Sequence, residues 1–282
     1  MSIELTETFA PKTDEMFKAE SKIGLLTNKD FDWTGAHAVK IWKVSTVAMN
    51  NYARTRGPET GDDGATLSRY GSITDLDAQT EEMILSRDRS FIFNIDKLDM
   101  DETMGQVEAG SALARQLREV VIPEVDSYVY AKMVEGAGIK ATAAALTKSN
   151  VYTSILAGSE ALDNAEIPDT ERVLVVTPAT YTLLKQATEF DNTEVGADMR
   201  LRGVVGILDG MNVVKVPAVR LPEKFGFMIA HPSACTAPIK LEHYSAHEDT
   251  VLSSGTIVTG RICYDAFVLE NKANGIYLHN IT

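Results

Sequence analysis

The sequence predicts a mixed α+β fold carrying a long arm that cannot bury a core of its own. Three observations lead there. Residues 103–135 repeat apolar side chains at spacings of three and four, the period of one helix face. Residues 236–282 are rich in β-branched and aromatic runs, the composition of strands. Residues 37–102 set two strand-like stretches around a middle rich in Gly, Asp and Arg. A lone two-stranded hairpin is marginal in water, so this arm is expected to lie on a neighbouring subunit.

Along the chain, Asp14 to Glu20 can form a short helix with Met16 and Phe17 on one side. The rest of residues 1–36 reads as an extended segment that frays unless something ties it down. The arm opens with Ala38–Val44 and crosses Arg54, Arg56, Gly57, Gly61, Asp62, Asp63 and Gly64. It returns through Phe91–Asp96, where Phe91, Phe93 and Ile95 alternate onto one face. In the helix of 103–135, Pro123 is expected to kink the chain or to end a first segment near Val121, and Gly136 and Gly138 mark its end.

Residues 139–235 read as α/β. Ala141–Ala145 and Val151–Leu156 are expected to be helical, and Arg172–Thr177 to be a buried strand. Thr177-Pro178 supplies a cap and a first-turn proline for a helix reaching about Phe190. Further strands are expected at Met211–Val216, Phe225–Ala230, Ile239–Tyr244, Thr256–Leu269 and Gly275–His279.

The bulk numbers exclude several classes. At 282 residues the chain can bury a sizeable core, and 44% hydrophobic with 24% charged residues is ordinary for a folded protein. A net charge of −13 argues against non-specific nucleic-acid binding, which needs a basic surface. No stretch approaches the roughly 20 apolar residues that span a bilayer, and the N-terminus lacks a basic region followed by an apolar run. A soluble protein made and kept in cytoplasm is expected. Two cysteines, Cys235 and Cys263, make no disulfide framework, so a reducing compartment is the default.

No motif assembles chemistry. Gly203, Gly206 and Gly210 fit neither a dinucleotide fingerprint nor a P-loop, and read as turn glycines. His243 and His247 lie four apart beside Glu242, Glu248 and Asp249, but on a strand followed by a turn they sit too far apart for one ion. Cys235 follows His231 without a third group to orient the imidazole. No catalytic, cofactor or metal residue is assigned. The arginines Arg54, Arg56, Arg69, Arg87 and Arg89, mixed with Asp62, Asp63, Asp75, Asp77 and Asp88, are either a solvated loop or a set of pairs between subunits.

Several stretches carry a resemblance in order. They are Val39-Lys40-Ile41 with Tyr52-Ala53-Arg54-Thr55-Arg56-Gly57, and Leu85 to Phe91 with Ile95 to Thr103. Gly203 to Gly210 with Val214 to Pro217, and Ala273 to Tyr277, complete the set. Together they resemble the major capsid (coat) proteins of tailed phages, the Hong Kong ninety-seven type fold. The resemblance covers nearly the whole chain; no single motif is diagnostic, but the ordered set is fairly specific. It implies an N-terminal arm at 1–36, an extended loop at 37–100 lying on an adjacent subunit, and a peripheral domain of a spine helix (101–136) with long strands (237–272). An axial domain would take 137–236 and 273–282.

The family also implies hexamers and pentamers closing an icosahedral shell around double-stranded DNA, in a virion assembled in the host bacterial cytoplasm. With about 36 residues before the loop, scaffolding is expected from a separate chain or is dispensable; a portal is a further expected partner. Some relatives crosslink through a Lys and an Asn; Lys40, Lys43, Asn271 and Asn274 are present, but crosslinking is not expected.

The residues expected at inter-subunit interfaces are Trp42, Tyr52, Arg54, Arg56, Tyr70, Arg87, Phe91 and Phe93; the alternative is packing of the hairpin on its own helix. Two other readings stay open. One is an encapsulin-like bacterial nanocompartment on the same fold. The other is a cytosolic α/β enzyme with a site near His231, Cys235, His243 and His247.

Overall fold

The structure, a computed structural model, describes residues 20–31, 38–44, 46–52, 54, 59–60, 66–72, 75, 78–98, 109–187, 204–250 and 253–282. The expected helix start at 14–19, Arg56, Gly203 and residues 103–108 and 188–203 lie outside these. The chain divides into two compact units, residues 35–84 and residues 1–34 with 85–282.

Unit 35–84 is built from strands alone among its described elements. β1 (Ala38–Val44) pairs antiparallel with β5 (Ala78–Ile84), and the short strands β2 (Glu59–Thr60), β3 (Thr66–Ser68) and β4 (Gly71–Ser72) form a small three-stranded sheet between them in sequence. The expected partner of β1 was the apolar stretch Phe91–Asp96; the observed one is more polar. The register explains the choice. Lys40 stands opposite Glu82 with 3.6 Å between charges, and Lys43 reaches Glu81 at 3.5 Å. Opposite charges on facing strands favour this pairing.

In the larger unit, β6 (Arg87–Asp96) belongs to a different sheet from the one expected. It lies on β14 (Ser253–Tyr264), which also carries β13 (Ile239–Thr250), in the order β13-β14-β6. Period-two alternation is as read from the sequence: Ile92 and Asn94 face outward while Ile95 is buried. Residues 256–269 do not form one strand. β14 ends at Tyr264, and β15 (Phe267–Val268) pairs instead with β12 (Cys235–Thr236).

The long helix follows β6. α1 (Ala109–Gln116) runs into a π-helical turn at Leu117–Val121 and then α2 (Ile122–Glu135), with Pro123 in the first turn of α2. Proline lacks the N–H that a continuing α-helix needs, and a π turn absorbs the missing bond without ending the helix. Gly136 closes α2 by donating its N–H to Lys132 O at 2.9 Å.

The remainder forms a six-stranded sheet in the order β7-β16-β11-β8-β10-β9. Its strands are β7 (Ile139–Lys140), β8 (Val173–Val176), β9 (Val204–Leu208), β10 (Met211–Lys215), β11 (Phe225–Ala230) and β16 (Ile276–Asn280). Alternate residues of each strand point to opposite faces. Val173, Val175, Val214 and Met228 pack with Val129, Tyr130 and Met133 of α2. Leu174, Val176, Val213 and Phe227 pack with Val151, Ile155 and Leu162 of α3 (Val151–Asn164) and Leu184 of α4 (Pro178–Gln186). A sheet covered on both faces needs continuous apolar runs, which is why these strands are legible.

Thr177 caps α4 as expected, its hydroxyl accepting the Thr180 N–H at 3.1 Å. Gly210 adopts φ +73° in the turn from β9 to β10, a conformation glycine reaches without strain.

Two further differences have simple causes. Ala141–Ala145 is not helical, because Ala141 N–H and Ala144 N–H bond to Leu278 O and Asn280 O (2.9 and 3.1 Å) along β16. Tertiary pairing overrides alanine's helix propensity. Residues 20–31 do not fray: Leu26 is fully buried, and Asn28 bonds through its N–H to Cys235 O (3.0 Å) and through its amide to Ser233 O (3.1 Å).

Candidate inter-subunit surfaces

The β1–β5 ribbon has two faces. Lys40, Trp42, Thr80, Glu82 and Ile84 share one of them and are all exposed; Trp42 is 70% exposed. An indole left in water on such a face is a surface that gains by being covered. In the same unit, the Tyr52 and Tyr70 rings meet edge to face at 5.0 Å, and the Asn50 amide donates to Tyr70 O at 3.3 Å. Tyr52 and Tyr70 stay 50% and 77% exposed, with Val47 and Met49 exposed nearby in sequence and Arg54 also open to solvent. Five of the expected interface residues thus belong to unit 35–84, and four of them are described.

The other three lie on β6 and are engaged within their own subunit. The Arg87 guanidinium sits 4.5 Å from the centre of the Tyr128 ring. Phe91 stacks on Phe93 and on Tyr244, at 6.2 and 6.1 Å between centroids. Exposed ion pairs flank them. Arg89 Nε bonds Glu124 Oε1 at 2.7 Å, and Arg261 grips Asp88 with two nitrogens at 2.9 and 2.5 Å, holding that carboxyl below the usual carboxylate range.

Sequence reasoning missed a buried pair. Arg220 Nη1 bonds Asp126 Oδ2 at 2.7 Å, and Ser21 Oγ donates to Asp126 Oδ1 at 2.6 Å. This joins the N-terminal segment, α2 and the 3-10 turn Ala218–Arg220. Burial pushes the Asp126 carboxyl up, opposed by the Ser21 hydrogen bond and the Arg220 charge. Beside it runs an apolar groove of about 350 Å³ lined by Ile23, Val121, Val125, Val129 and Tyr244.

The candidate enzymatic residues do not converge. His231 Nδ1 is taken by Ser233, 2.7 Å from its hydroxyl and 3.2 Å from its N–H, as the cap of a 3-10 turn. The Cys235 thiol is buried and its pKa pushed up to about 12 by desolvation. His243 Nε2 lies 2.8 Å from Ser245 Oγ on exposed β13, which continues through His247. Among the described residues no three His, Cys, Asp or Glu side chains gather as metal ligands.

Comparison with known proteins adds to this geometry. A family model described as phage capsid protein matches residues 65–277. A structure from Mycobacterium phage Che8 is similar with TM-score 0.75 and 18% identity, covering 98% of this chain and 97% of that one. The capsid structure of cyanophage P-SCSP1u gives 0.73 and 15%, covering 98% and 93%. The mature capsid of bacteriophage PhiM1 gives 0.72 and 11%, covering 99% and 92%. At these identities the likeness speaks for the fold. No curated protein matches the chain in sequence.

Proposed function

Because this chain belongs to the phage capsid protein family, we propose that it is the major capsid protein of a tailed bacteriophage or prophage, which self-assembles through hexamers and pentamers into an icosahedral shell packaging double-stranded DNA. The observation that carries this beyond family membership is the β1–β5 ribbon, which presents Trp42 and Ile84 on a face with little local cover. Two strands alone cannot stabilise such a ribbon; a neighbouring copy can. Residues 37–84 belong to the extended loop in this reading, residues 1–36 are the arm, and the six-stranded sheet is the axial domain. The β13-β14-β6 sheet with α1 and α2 is the peripheral domain.

Trp42, Tyr52, Arg54, Arg56 and Tyr70 meet the neighbour, while Arg87, Phe91 and Phe93 shape the peripheral sheet. Each interface is weak, and repetition makes the sum large. The net charge of −13 suits a wall that does not adhere to the DNA it encloses. A separate scaffolding protein and a portal complete the particle, which is the virion shell. The role is structural rather than enzymatic.

The test is negative-stain electron microscopy of the purified protein, expressed alone and with its neighbouring genes. Closed icosahedral particles support the reading. DNA inside phage-made particles separates a virion from a protein-loaded nanocompartment. Small uniform oligomers under every condition overturn it.

A further inference from the structure

Asp265 is a buried carboxylate, 3% exposed, that accepts four hydrogen bonds. Its Oδ2 takes both the N–H and the hydroxyl of Ser86, each at 2.8 Å. Its Oδ1 takes the Tyr128 hydroxyl and the Ala266 N–H, each also at 2.8 Å. The backbone ladder between β14 and β6 ends on the rung Tyr264↔Arg87. Asp265 and Ser86 are the next residues outward, so the aspartate side chain takes over where the backbone pairing stops. Arg87 lies over the Tyr128 ring, and Tyr128 meets Tyr264 edge to face at 5.6 Å. Ser86 is thus held at its amide and its side chain, two residues after the last residue of unit 35–84.

We propose that Asp265 is a positioning residue for assembly: it pins the chain at Ser86, the root of unit 35–84, so that less freedom is lost when that unit docks on a neighbour. Ordering cost subtracts from interface strength, and preorganisation recovers it. The proposal rests on the assembly reading above.

The experiment compares Asp265→Asn and Ser86→Ala with the unmutated chain. It measures the critical concentration for particle formation, thermal unfolding of the soluble subunit, and hydrogen exchange at residues 85–88. Asp265→Asn keeps the shape but cannot satisfy all four donors, and should raise the critical concentration about tenfold, equivalent to about 1.4 kcal/mol. Exchange at the Ser86 amide should quicken while the β8 and β11 amides stay protected. Ser86→Ala should shift both readouts in the same direction by a smaller factor. It removes only one of the four donors to Asp265, so it decides the matter if Asp265→Asn does not fold. Variants that fold and assemble at the unmutated critical concentration overturn the proposal. So does a loss of thermal stability with no change in Ser86 exchange. If the unmutated chain forms no particles at any concentration, the assembly reading itself has failed.

Discussion

Phe91 and Tyr244 stack across Gly260, with ring centroids 6.1 Å apart and planes inclined by 25°. All three stand on one rung, since Gly260 pairs with Phe91 on one side and with Tyr244 on the other. A Cβ on Gly260 would collide with the Phe91 ring edge and lie 2.9 Å from Tyr244 Cδ1. The central strand therefore carries glycine so that rings from both outer strands can close over it.

Gly260→Ala should lower the unfolding free energy by about 1–3 kcal/mol, the usual range for overpacking. Urea unfolding of the soluble subunit measures it. An unchanged midpoint would mean that the rings do not close over this position.

Arg220→Ala leaves Asp126 buried with the Ser21 hydroxyl but without its cation. Removing one partner of a buried pair typically costs about 3–5 kcal/mol. The same denaturant titration reads the effect, and a cost under about 1 kcal/mol would place the pair in solvent.

The Asp126 carboxyl also predicts a pH dependence. Its pKa is raised above the ordinary 3.8, chiefly by burial. The folded state then binds this proton more tightly than the unfolded state, so the group contributes more stability as pH falls through its folded pKa toward 3.8. The unmutated chain should gain on Asp126→Asn across that window and level off below it. A difference that stays flat, or falls, contradicts the shift.

Trp42→Ala should leave subunit stability within about 0.5 kcal/mol, as substitutions at exposed positions usually do, yet suppress particle formation. Arg54→Glu with Arg56→Glu should act likewise. Light scattering alongside circular dichroism separates folding from assembly, and normal particles from the double variant would remove these residues from the interface.

Cys235, with its thiol pKa at about 12, should resist iodoacetamide at pH 8 in the folded protein and react once unfolded. At that pKa only about one thiol in ten thousand is thiolate at pH 8, a consequence of burying the sulfur. Rapid labelling of native Cys235 would reopen the enzyme reading.

Some of this was legible in the sequence and some was not, for physical reasons. β8 and β11 stand out because burial on both faces makes them continuously apolar, and Thr177-Pro178 announces α4 chemically. The partner of β1 is hidden in the sequence because Phe91–Asp96 is the more apolar stretch. The useful signal was charge, Glu81 and Glu82 facing Lys40 and Lys43. The π turn leaves no trace in a pattern of threes and fours. Tyr52 and Tyr70 were readable as aromatic residues in a polar stretch, and Trp42 as one in the apolar run that opens the arm. Asp126 and Asp265 were not, because their partners Arg220 and Ser86 lie 94 and 179 residues away and a single charge in an apolar run names no partner.

The central claim is that unit 35–84 of one subunit is laid on the next. The measurement that tests it most directly is a cryo-electron microscopy map of particles formed by the unmutated chain, at a resolution that traces side chains. The account predicts Trp42 and the exposed face of the β1–β5 ribbon covered by an adjacent subunit. A map with that face bare, or folded back onto its own subunit, would contradict it.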